Sequence, residues 1–380
     1  MLRLSVLLAL ALCGTAGSSD GARESGGPNI RVAIALNTPS VRLKTSAKTY
    51  VLEVNTGQKY LLLSGASYDI KSSGPQSLSV ADKTLSSPIK LLSGDGSEKI
   101  RLGGNVYKGD IVLKAASGGR LDIIEHIPLE DYLYGVLPSE MSPSWPLEAL
   151  KAQAVASRSY AVRNLSSSRD YDITDGAEMQ VYNGTKDINS RILEAVNSTR
   201  GEVLKYKGKI LTAFFHACCG GRTASARSAW GEDIMKPLYG VADPYCSGAA
   251  HYKWSFHVTA KDMLACIQKH GSTALKIKSV RLNKKDRSGR AINFIFITDQ
   301  KKFQLEAGEL RKYFGANSFK SVYITRVQAS KGGYQFYGRG WGHGVGLCQE
   351  GAKEMAKRGM NYKRILRHYY PGASITDYGD

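Results

Sequence analysis

One carboxylate stands out: Glu140 lies in the stretch Pro-Ser-Glu-Met, between an aromatic-rich approach and a predicted helix that begins around Pro146. Short turns that lead into a helix often hold functional side chains on a rigid frame. Tyr132, Tyr134 and Trp145 are neighbours that could desolvate the carboxyl group. Burial favours the protonated form of a carboxyl group, which is the form that a general acid needs near neutral pH. These residue types therefore indicate proton donation to a substrate.

The same residue types also fit a glutamate with no chemical role. A glutamate at a helix N-terminus is stabilised by the helix dipole, and a surface glutamate needs no partner. Taken without further information, one glutamate beside aromatics favours this simpler interpretation. Glu130, Asp131 and Glu148 lie close in sequence and are the candidates for a second acid, although Glu148 is expected to face solvent.

A second group of side chains has the types that bind zinc. His216 and Cys219 form a His-x-x-Cys pair before two glycines, and Cys246 and His251 follow. Two histidines and two cysteines suit a tetrahedral Zn²⁺ ion, which we expect to be structural. A Cys219–Cys246 disulfide is the rival, and the two histidines favour the metal. Cys218 could replace Cys219, and a zinc-dependent hydrolase would require an open coordination position.

The glycine-rich loop 338–346 lacks the glycine spacing and the Lys-Ser/Thr pair of a phosphate-binding P-loop. Its glycines are expected to permit tight turns and close approach to a ligand. His343 in this loop either contacts substrate or orients Glu140, or it is a structural histidine with its hydrogen bonds satisfied. Cys266 and Cys348 are predicted to be ordinary buried thiols.

The helices and strands that must position these residues are predicted to form an α+β fold, in which β structure dominates the N-terminal part. Residues 29–124 contain short apolar, β-branched segments separated by turn residues, which is typical of small β domains. The helix predicted at 146–164 places small and apolar residues on one face, with Lys151 and Arg158 elsewhere. Other predicted elements are helices at 188–198, Ala260–Lys269 and 348–357, a hairpin with Lys207 and Gly208 at its tip, and strands at 252–258, 276–283 and 291–298.

Composition limits the class of partner. The chain has 380 residues, with 52 Lys and Arg against 33 Asp and Glu, and a formal charge of +19. This charge predicts attraction to a polyanion, which is nucleic acid, anionic lipid or an acidic cell-wall polymer. The length suits one large domain or two to three smaller ones.

The N-terminus favours the cell-wall polymer. Residues 1–17 have one basic residue, a short apolar run and then small residues, which predicts a secretory signal peptide. A Gly- and Ser-rich linker follows at 18–28, and Leu12 before Cys13 disfavours lipid anchoring. An exported protein is not expected to meet nucleic acid. Beyond Cys13 five cysteines remain, so they cannot all pair within the chain.

Three stretches carry a family resemblance. Residues 127–163 contain Glu-Met, then Trp145, then E-A-L-K-A-Q-A-V-A-S-R-S-Y; residues 212–231 read TAFFHACCGGRTASARSAWG; and residues 338–375 contain G-R-G-W-G-H-G-V-G, Q-E-G-A and Y-Y-P-G. In this order they resemble the motifs of the stage II sporulation protein D and amidase-enhancer family. The resemblance covers about 127–375, so the sequence predicts a catalytic core at 125–380 preceded by a variable β-rich region at 29–124.

The resemblance implies a lytic transglycosylase that acts on peptidoglycan glycan strands, with Glu140 as its acid and then its base. It implies substrate contacts by Lys151, Arg158, Tyr160, Tyr182 and His343, although a solvated helix face is the alternative for the first three. Some family members bind zinc near His216, Cys219, Cys246 and His251. The resemblance also allows a non-catalytic wall-binding enhancer of an amidase, and it implies as partners glycan strands, with or without stem peptides, anionic wall polymers and other wall hydrolases.

Overall fold

A computed structural model describes residues 27–45, 48–93, 100–231 and 235–379. The predictions for the signal peptide, for Cys13 and for most of the linker lie outside these residues. The chain divides into two compact units, one ending at Pro143 and resuming over Ala161–Gly201, the other comprising Ser144–Tyr160 and the chain from Glu202 onward. The helices are α1 (Leu129–Glu140), α2 (Leu147–Asn164), α3 (Ser190–Asn197), α4 (Ala226–Trp230), α5 (Ala260–Lys269), α6 (Ala307–Phe314), α7 (Gln349–Lys357) and α8 (Tyr362–Tyr369).

The first unit is built on two β-sheets. One has the strand order β13-β1-β12-β11-β8-β3-β4 and the other the order β10-β9-β2-β5-β6-β7, and β11 and β12 pack against β5. The strands are β1 (Asn29–Thr38), β2 (Ser40–Lys44), β3 (Thr49–Glu53), β4 (Lys59–Leu62), β5 (Ser67–Gly74), β6 (Ser77–Val80), β7 (Lys83–Ser86), β8 (Ile89–Ser93), β9 (Ile100–Leu102), β10 (Asn105–Tyr107), β11 (Asp110–Ala116), β12 (Arg120–Pro128) and β13 (Ile173–Thr174).

Alternation explains why these segments form strands. In β5 the buried residues Tyr68 and Ile70 alternate with exposed ones, so one face joins the core and the other meets solvent. β12 is the most buried long strand of this unit, and it runs without interruption across the predicted boundary at residue 125. The division into a variable region and a catalytic core at that residue stays a prediction.

The second unit contains several small sheets. Their strand orders are β15-β14-β24, β16-β23, β17-β22-β21 and β18-β19-β20. An apolar core that includes Phe294, Phe296, Phe336 and Met263 lies among the last two sheets and α5. The strands are β14 (Glu202–Tyr206), β15 (Lys209–Ile210), β16 (Phe215–His216), β17 (Lys253–Thr259), β18 (Ile277–Lys285), β19 (Ala291–Thr298), β20 (Lys302–Glu306), β21 (Ile324–Ser330), β22 (Gly333–Arg339), β23 (Leu347–Cys348) and β24 (Ser374–Asp377).

Helix α2 is buried on all sides rather than on one stripe. Every residue from Ala152 to Ala161 is buried, including Gln153, Ser157 and Arg158. Their polar groups find partners: Gln153 Nε2 donates to Ser157 Oγ at 3.0 Å, and Ser159 Oγ donates to the carbonyl of Val155. The expectation that Arg158 lies on a solvated face is therefore wrong.

The mixed α+β class is confirmed. α5 spans the predicted Ala260–Lys269, and the hairpin β14–β15 turns at Lys207 and Gly208, both with positive φ. α1 was not predicted, because Pro138 suggests a break, yet this proline lies near the C-terminal end of the helix. No helix among the described residues is both long enough and apolar enough to span a lipid bilayer.

Candidate active site and metal centre

Glu140 is the last residue of α1, and Met141 after it is extended. The helix forms because Leu129, Tyr132, Leu133, Val136 and Leu137 share one buried face at helical spacing. Glu140 therefore lies at a helix end rather than in a turn. Its side chain is partly buried, and its Oε1 accepts a hydrogen bond from the backbone N–H of Val181 at 2.9 Å.

The helix end and the Val181 amide act on Glu140 in opposite directions. The C-terminus of a helix carries partial negative charge, which disfavours a carboxylate, and the last turn of α1 contains no basic residue. A backbone N–H that donates to a carboxylate favours the ionised form. The interpretation of Glu140 as a helix N-terminal carboxylate is wrong, because it lies at the opposite end of α1 and precedes α2 by several residues.

The segment 180–183 that carries the Val181 amide is clamped to α1 on both sides. The Tyr132 hydroxyl donates to Gln180 Oε1 at 3.1 Å, and Asn183 Nδ2 donates to Ser139 Oγ at 3.1 Å. One of these contacts lies before Val181 in the chain and the other after it. The amide that meets Glu140 is thereby held by two hydrogen bonds to the same helix.

Two glycines allow the backbone of this segment to approach its neighbours. A Cβ on Gly135 of α1 would lie 2.2 Å from the carbonyl oxygen of Gly184, and a Cβ on Gly184 would lie 2.2 Å from that of Val106. Gly184 also has a φ of +64°, which side chains other than glycine adopt rarely. Both positions therefore require glycine for the segment to lie where it does.

Tyr182 and Glu125 form a buried pair below this segment. Tyr182 is 2 % exposed, and its ring centroid lies 5.0 Å from that of Tyr132. It lies beside the carboxyl group of Glu125, whose Oε1 accepts from the Gly109 N–H at 2.8 Å and whose Oε2 is buried without a hydrogen-bond partner among the described residues. Burial raises the pKa of Glu125 to about 7, and burial raises the pKa of Tyr182 well above its usual value. Tyr182 is thus an internal support and not a surface contact.

Glu125 was not identified from the sequence, although its position in β12 indicates a buried carboxyl group. In β12 the buried positions Leu121, Ile123 and Ile127 alternate with more exposed ones, and Glu125 occupies the same register. A glutamate in an otherwise apolar inward series must find a partner or be protonated. The inward position of Glu125 in β12, rather than its proximity to Glu140 in the sequence, indicates a buried carboxyl group.

Of the residues predicted to contact substrate, Lys151 and Arg158 already have partners within the second unit. Lys151 Nζ lies 3.1 Å from Glu148 Oε1, and Glu148 Oε2 accepts from the backbone N–H of Tyr362 at 2.8 Å, at the start of α8. Arg158 is fully buried, and its Nη1 donates to the carbonyl of Glu202 at 3.1 Å. Glu148 is therefore a helix-capping residue, which weakens it as a second acid.

Aromatic rings in the second unit form a row that ends in solvent. Tyr160 meets the ring of Phe214 edge-on at 5.9 Å between centroids, and Phe214 lies 4.5 Å from Trp230. Trp230 is 43 % exposed, and it also contacts His343 at 5.1 Å. An exposed indole supported by other rings provides a flat face of the kind that sugar rings contact. Trp230 was not among the predicted site residues.

His343 has one ring nitrogen occupied by the backbone. Nδ1 accepts from the Val345 N–H at 3.0 Å, so in the neutral ring Nε2 carries the proton. Burial lowers the pKa of His343 to about 4, so the ring is neutral at pH 7. These contacts match the structural-histidine alternative. Glu140 and Tyr182 belong to the first unit, whereas Lys151, Arg158, Tyr160 and His343 belong to the second.

The predicted metal ligands are brought together only in part. Cys219 and Cys246 are free thiols with their Sγ atoms 3.4 Å apart. Their ligand atoms form a buried group, all within 4.8 Å, with those of Asp243 and Cys348, and this group contains neither predicted histidine. A cluster of thiols and a carboxylate that could hold a metal ion is therefore present.

The two histidines have other surroundings. His216 Nδ1 lies 3.0 Å from the carbonyl oxygen of Val345, to which it must donate, and its Nε2 is buried without a hydrogen-bond partner among the described residues. His251 packs edge-on against Trp341 at 4.5 Å, with Nδ1 3.1 Å from Lys320 Nζ. The unpartnered Nε2 of His216 leaves a lone pair that could serve a metal, but it lies outside the four-residue group.

Backbone N–H groups point at two of the clustered sulfur atoms. Cys348 Sγ accepts from Cys219 N at 3.2 Å and from Gly351 N at 3.4 Å, and Cys219 Sγ accepts from Gly221 N at 3.3 Å. Hydrogen bonds from the thiols of Cys218, Cys219 and Cys348 lower the pKa of Cys246, so the negative charge of the cluster concentrates there. Sulfur atoms that accept hydrogen bonds fit thiolate ligands, and Zn²⁺ accepts cysteine sulfur and carboxylate oxygen together.

Cys348 was predicted to be an ordinary buried thiol, and that prediction is wrong, because it joins this group and its Sγ also caps α7. Asp243 was not considered, although Asp-x-x-Cys at 243–246 is a spacing that one turn can hold. Cys266, in contrast, lies in the apolar core of the second unit beside Met263 and Ile267.

Comparisons with known proteins agree with these motifs. The profile of the family described as Stage II sporulation protein matches residues 117–206, and that of a domain of unknown function matches residues 234–346. The stage II sporulation protein D of Bacillus subtilis is 30% identical over 67% of this chain and 76% of its own length. An uncharacterized protein of Brachyspira hyodysenteriae is 35% identical over 72% of this chain and 78% of its own length.

A third relative matches more of this chain but less of itself. The amidase enhancer of Bacillus subtilis is 29% identical over 88% of this chain and 53% of its own length, so the chain spans about half of that protein. The first profile covers the first of the three stretches, at residues 127–163, and two of the relatives carry the names of the family that the stretches resemble. The chain belongs to the family of stage II sporulation protein D and the amidase enhancer.

Proposed function

We propose that the protein acts on the bacterial cell wall as an exported lytic transglycosylase. It cleaves the bond between N-acetylmuramic acid and N-acetylglucosamine in peptidoglycan glycan strands and leaves 1,6-anhydromuramic ends. The observation that carries the proposal is Glu140, a partly buried carboxyl group held by the Val181 amide within the segment that matches the family.

The chemistry requires one carboxyl group that first gives and then takes a proton. Protonated Glu140 donates to the glycosidic oxygen as the bond from C1 to that oxygen breaks, and the N-acetylglucosamine side leaves as an alcohol. The muramic acid C6 hydroxyl then attacks C1, and Glu140 accepts its proton as the anhydro ring closes. No water is consumed, and no second carboxylate is needed, unlike in glycosidases with paired acids.

The surroundings of Glu140 support this double role. The Val181 amide donates to one carboxyl oxygen of Glu140, at the C-terminal end of α1. A bound glycan would exclude water from the carboxyl group, which favours its protonated form before bond cleavage. Because the clamp holds the Val181 amide in place, the orientation of the carboxyl group is set before substrate arrives.

We assign the predicted substrate residues to two roles. Lys151 and Tyr160 remain proposed contacts for the acidic and acetamido groups of the glycan, and the exposed Trp230 joins them as a ring face for a sugar. Arg158, Tyr182 and His343 are proposed to position other groups, because Arg158 and Tyr182 are buried and Nδ1 of His343 accepts a hydrogen bond from the backbone. The charge of +19 would attract anionic wall polymers without selecting among them.

We propose that Cys219, Asp243, Cys246 and Cys348 hold a structural Zn²⁺ ion. The ion would join loops from three parts of the second unit and would supply no step of the reaction. A group of four buried protein donors favours this role over a zinc-dependent hydrolase, which needs an open coordination position. The test for the metal is given in the Discussion.

A second candidate function is a wall-binding protein that enhances an amidase without cutting glycan. The match to the amidase enhancer, which covers 88% of this chain, favours it. This candidate requires only that the surface bind the wall, so it places no demand on Glu140. Loss of the Glu140 carboxyl group therefore separates the two candidates.

The test is digestion of purified glycan strands, with and without stem peptides, followed by mass spectrometry of the products. The mature protein is compared with Glu140→Gln and with Glu194→Gln, which removes an exposed carboxylate on α3. We expect anhydromuramic ends from the wild type and from Glu194→Gln but not from Glu140→Gln. Reducing ends would instead identify a hydrolase, and binding without cleavage by all three proteins would establish the enhancer. The two substrates also show whether stem peptides must be removed first.

A further inference from the structure

A basic pocket of about 770 Å³ opens on the second unit, and its lining contains none of the residues proposed for catalysis, substrate contact or metal binding. One wall is the chain from Arg222 to Ser228 together with Tyr239, and the other is the turn that joins β18 to β19. Its volume lies in the range of pockets that hold small ligands. Four cationic side chains line it: Arg222, Arg227, Lys285 and Arg287.

These positive charges are not neutralised by described neighbours. All four side chains are exposed, and within the described ranges none of them forms an ion pair with a carboxylate. The pocket also contains Asp286, but that carboxylate is engaged with its own turn. Its Oδ1 accepts from the backbone N–H of Ser288 at 2.8 Å and of Arg290 at 2.9 Å. Asp286 therefore shapes the wall and leaves a local excess of positive charge.

A buried guanidinium supports both walls. Arg290 is 3 % exposed, and its Nη1 donates to the carbonyl of Arg222 at 2.9 Å and to Ser288 Oγ at 3.0 Å. Its Nη2 donates to the carbonyl of Cys219 at 2.8 Å. The two walls come from distant parts of the chain, so this side chain fixes their separation. Since a guanidinium stays protonated in proteins, it also adds positive potential from below.

The rim of the pocket carries an aromatic ring and hydroxyl groups. Tyr239 is 61 % exposed, so its ring is accessible to a ligand in the pocket. The hydroxyl groups of Ser225 and Ser228 line the same pocket and can both donate and accept hydrogen bonds. An aromatic face, hydroxyl groups and arginine forks are together suited to a sugar that carries an anionic group, because arginine pairs with carboxylate or phosphate through two parallel hydrogen bonds.

We infer that this pocket is a binding site for an anionic saccharide, with Arg227 and Arg287 holding its carboxylate or phosphate group and Tyr239 contacting the sugar ring. The site requires no cleavage of a glycosidic bond, so it stands whether the protein is a transglycosylase or an enhancer. It would retain the protein on a polymer that displays repeated acidic sugars. Attraction by the net charge alone would be the same for any basic part of the surface. Binding to the pocket can therefore be measured as the affinity that is lost when pocket residues, and not other basic residues, are replaced.

The experiment is calorimetric titration in the Glu140→Gln background, so that no glycan is cut. The probes are glycan strands bearing muramic acid carboxylates, a polymer of N-acetylglucosamine 1-phosphate, and a neutral N-acetylglucosamine oligomer. Arg227→Gln with Arg287→Gln is compared with Arg163→Gln with Arg281→Gln, which removes two exposed arginines elsewhere. We expect the pocket pair to weaken binding of an anionic probe at least about tenfold, since the loss of even one charge-assisted hydrogen bond weakens binding by about that factor.

Each result of the titration either supports or overturns the inferred saccharide site. Preference for the carboxylate or the phosphate polymer identifies the source of the anion. Equal losses in both variant pairs, unchanged binding in the pocket pair, or equal binding of the neutral oligomer would each overturn the inference. Thermal unfolding of the variants checks the fold; if the arginine pair proves unstable, Lys285→Gln with Tyr239→Ala tests the same pocket by removing one charge and the ring.

Discussion

At the scale of single residues, the site depends on groups that the sequence does not place next to Glu140. Val181 is 41 positions away along the chain, yet its N–H meets the Glu140 carboxyl group. Glu125 and Tyr182 lie one layer further in and hold the segment from inside. Orientation of the acid is therefore set by a main-chain donor whose own position is fixed by buried side chains.

Glu125→Gln should change how stability depends on pH. Burial raises the pKa of Glu125 to about 7 in the folded protein, against 4.5 for a free glutamate, so the folded state holds a proton that the unfolded state releases between these values. Folding stability from this group is present below pH 4.5 and is lost as pH rises through 7. Glutamine never ionises. We therefore expect the variant to gain on the order of 3 kcal/mol relative to wild type between pH 4 and pH 8.5.

The measurement is denaturant unfolding of both proteins at the two pH values. Only the difference between the proteins is interpreted, because all other titrating groups are common to them. Glu194→Gln, which removes an exposed carboxylate on α3 of the same unit, serves as the control and should show little pH-dependent difference. A constant difference between wild type and Glu125→Gln at both pH values would show that the pKa of Glu125 is the same in the folded and unfolded states.

At the scale of elements, α1 and the segment after β13 make a contact in which backbone meets backbone. Gly135 of α1 faces the carbonyl of Gly184, and Gly184 faces the carbonyl of Val106. The approach brings the N–H of Val181 to the end of the helix. A side chain inserted here would separate the elements and would move the amide away from Glu140.

Gly184→Ala tests this contact against a matched glycine. Gly118, in the turn between β11 and β12, has a φ of +69°, close to the +64° of Gly184, but a Cβ there would meet nothing within 4 Å. Both substitutions should carry the backbone cost of about 1–2 kcal/mol for a left-handed alanine. We expect Gly184→Ala to cost about 1–3 kcal/mol more from overpacking, and to reduce glycan cleavage severely while Gly118→Ala does not. Equal losses of stability and activity in the two variants would mean that the contact is not required.

Sequence patterns predict the elements of this chain better than their meeting points. Periodicity placed α5 within its observed bounds, and the Lys-Gly pair placed the β14–β15 turn, because both depend on local backbone preferences. α1 was not predicted, because a proline is unfavourable within a helix. Tertiary packing of the apolar face of α1 outweighs the one backbone hydrogen bond that Pro138 removes. The Cys219 and Cys246 pair was found, but Cys348 was not, because it lies 129 positions from Cys219 and no spacing rule joins the two. Asp243 could have been found from its Asp-x-x-Cys spacing with Cys246.

At the scale of the whole molecule, the thiol cluster closes very long loops. Cys219 and Cys348 are 129 positions apart, and the hydrogen bond from Cys219 N to Cys348 Sγ already joins them. A metal at this cluster would tie the loop after β16 to the start of α7. Such a link reduces the freedom of the unfolded chain more than that of the folded one, so its main effect is on stability.

Cys246→Ser should remove bound zinc and lower the melting temperature, whereas Cys266→Ser should leave zinc in place. Cys266 is an equally buried thiol, but it lies in the apolar core away from the cluster. The measurements are zinc content by mass spectrometry and thermal unfolding with and without a chelator. For the wild type we expect about one zinc ion per chain and a lower melting temperature after chelation. Absence of zinc together with a chelator-insensitive melting temperature would instead favour a cluster of thiols without metal.

The main-chain origin of the Val181 donor has a consequence for mutational scanning. Substituting the side chain at position 181 leaves the N–H in place, so most replacements there should be tolerated. The flanking positions carry the clamp: Gln180 and Tyr182 are buried, and Asn183 bonds to α1. A complete substitution library selected for activity should therefore show one permissive position enclosed by restrictive ones, with proline as the single forbidden residue at 181 because it alone lacks the N–H. The group that orients the acid would be nearly invisible to a scan that reads side chains alone.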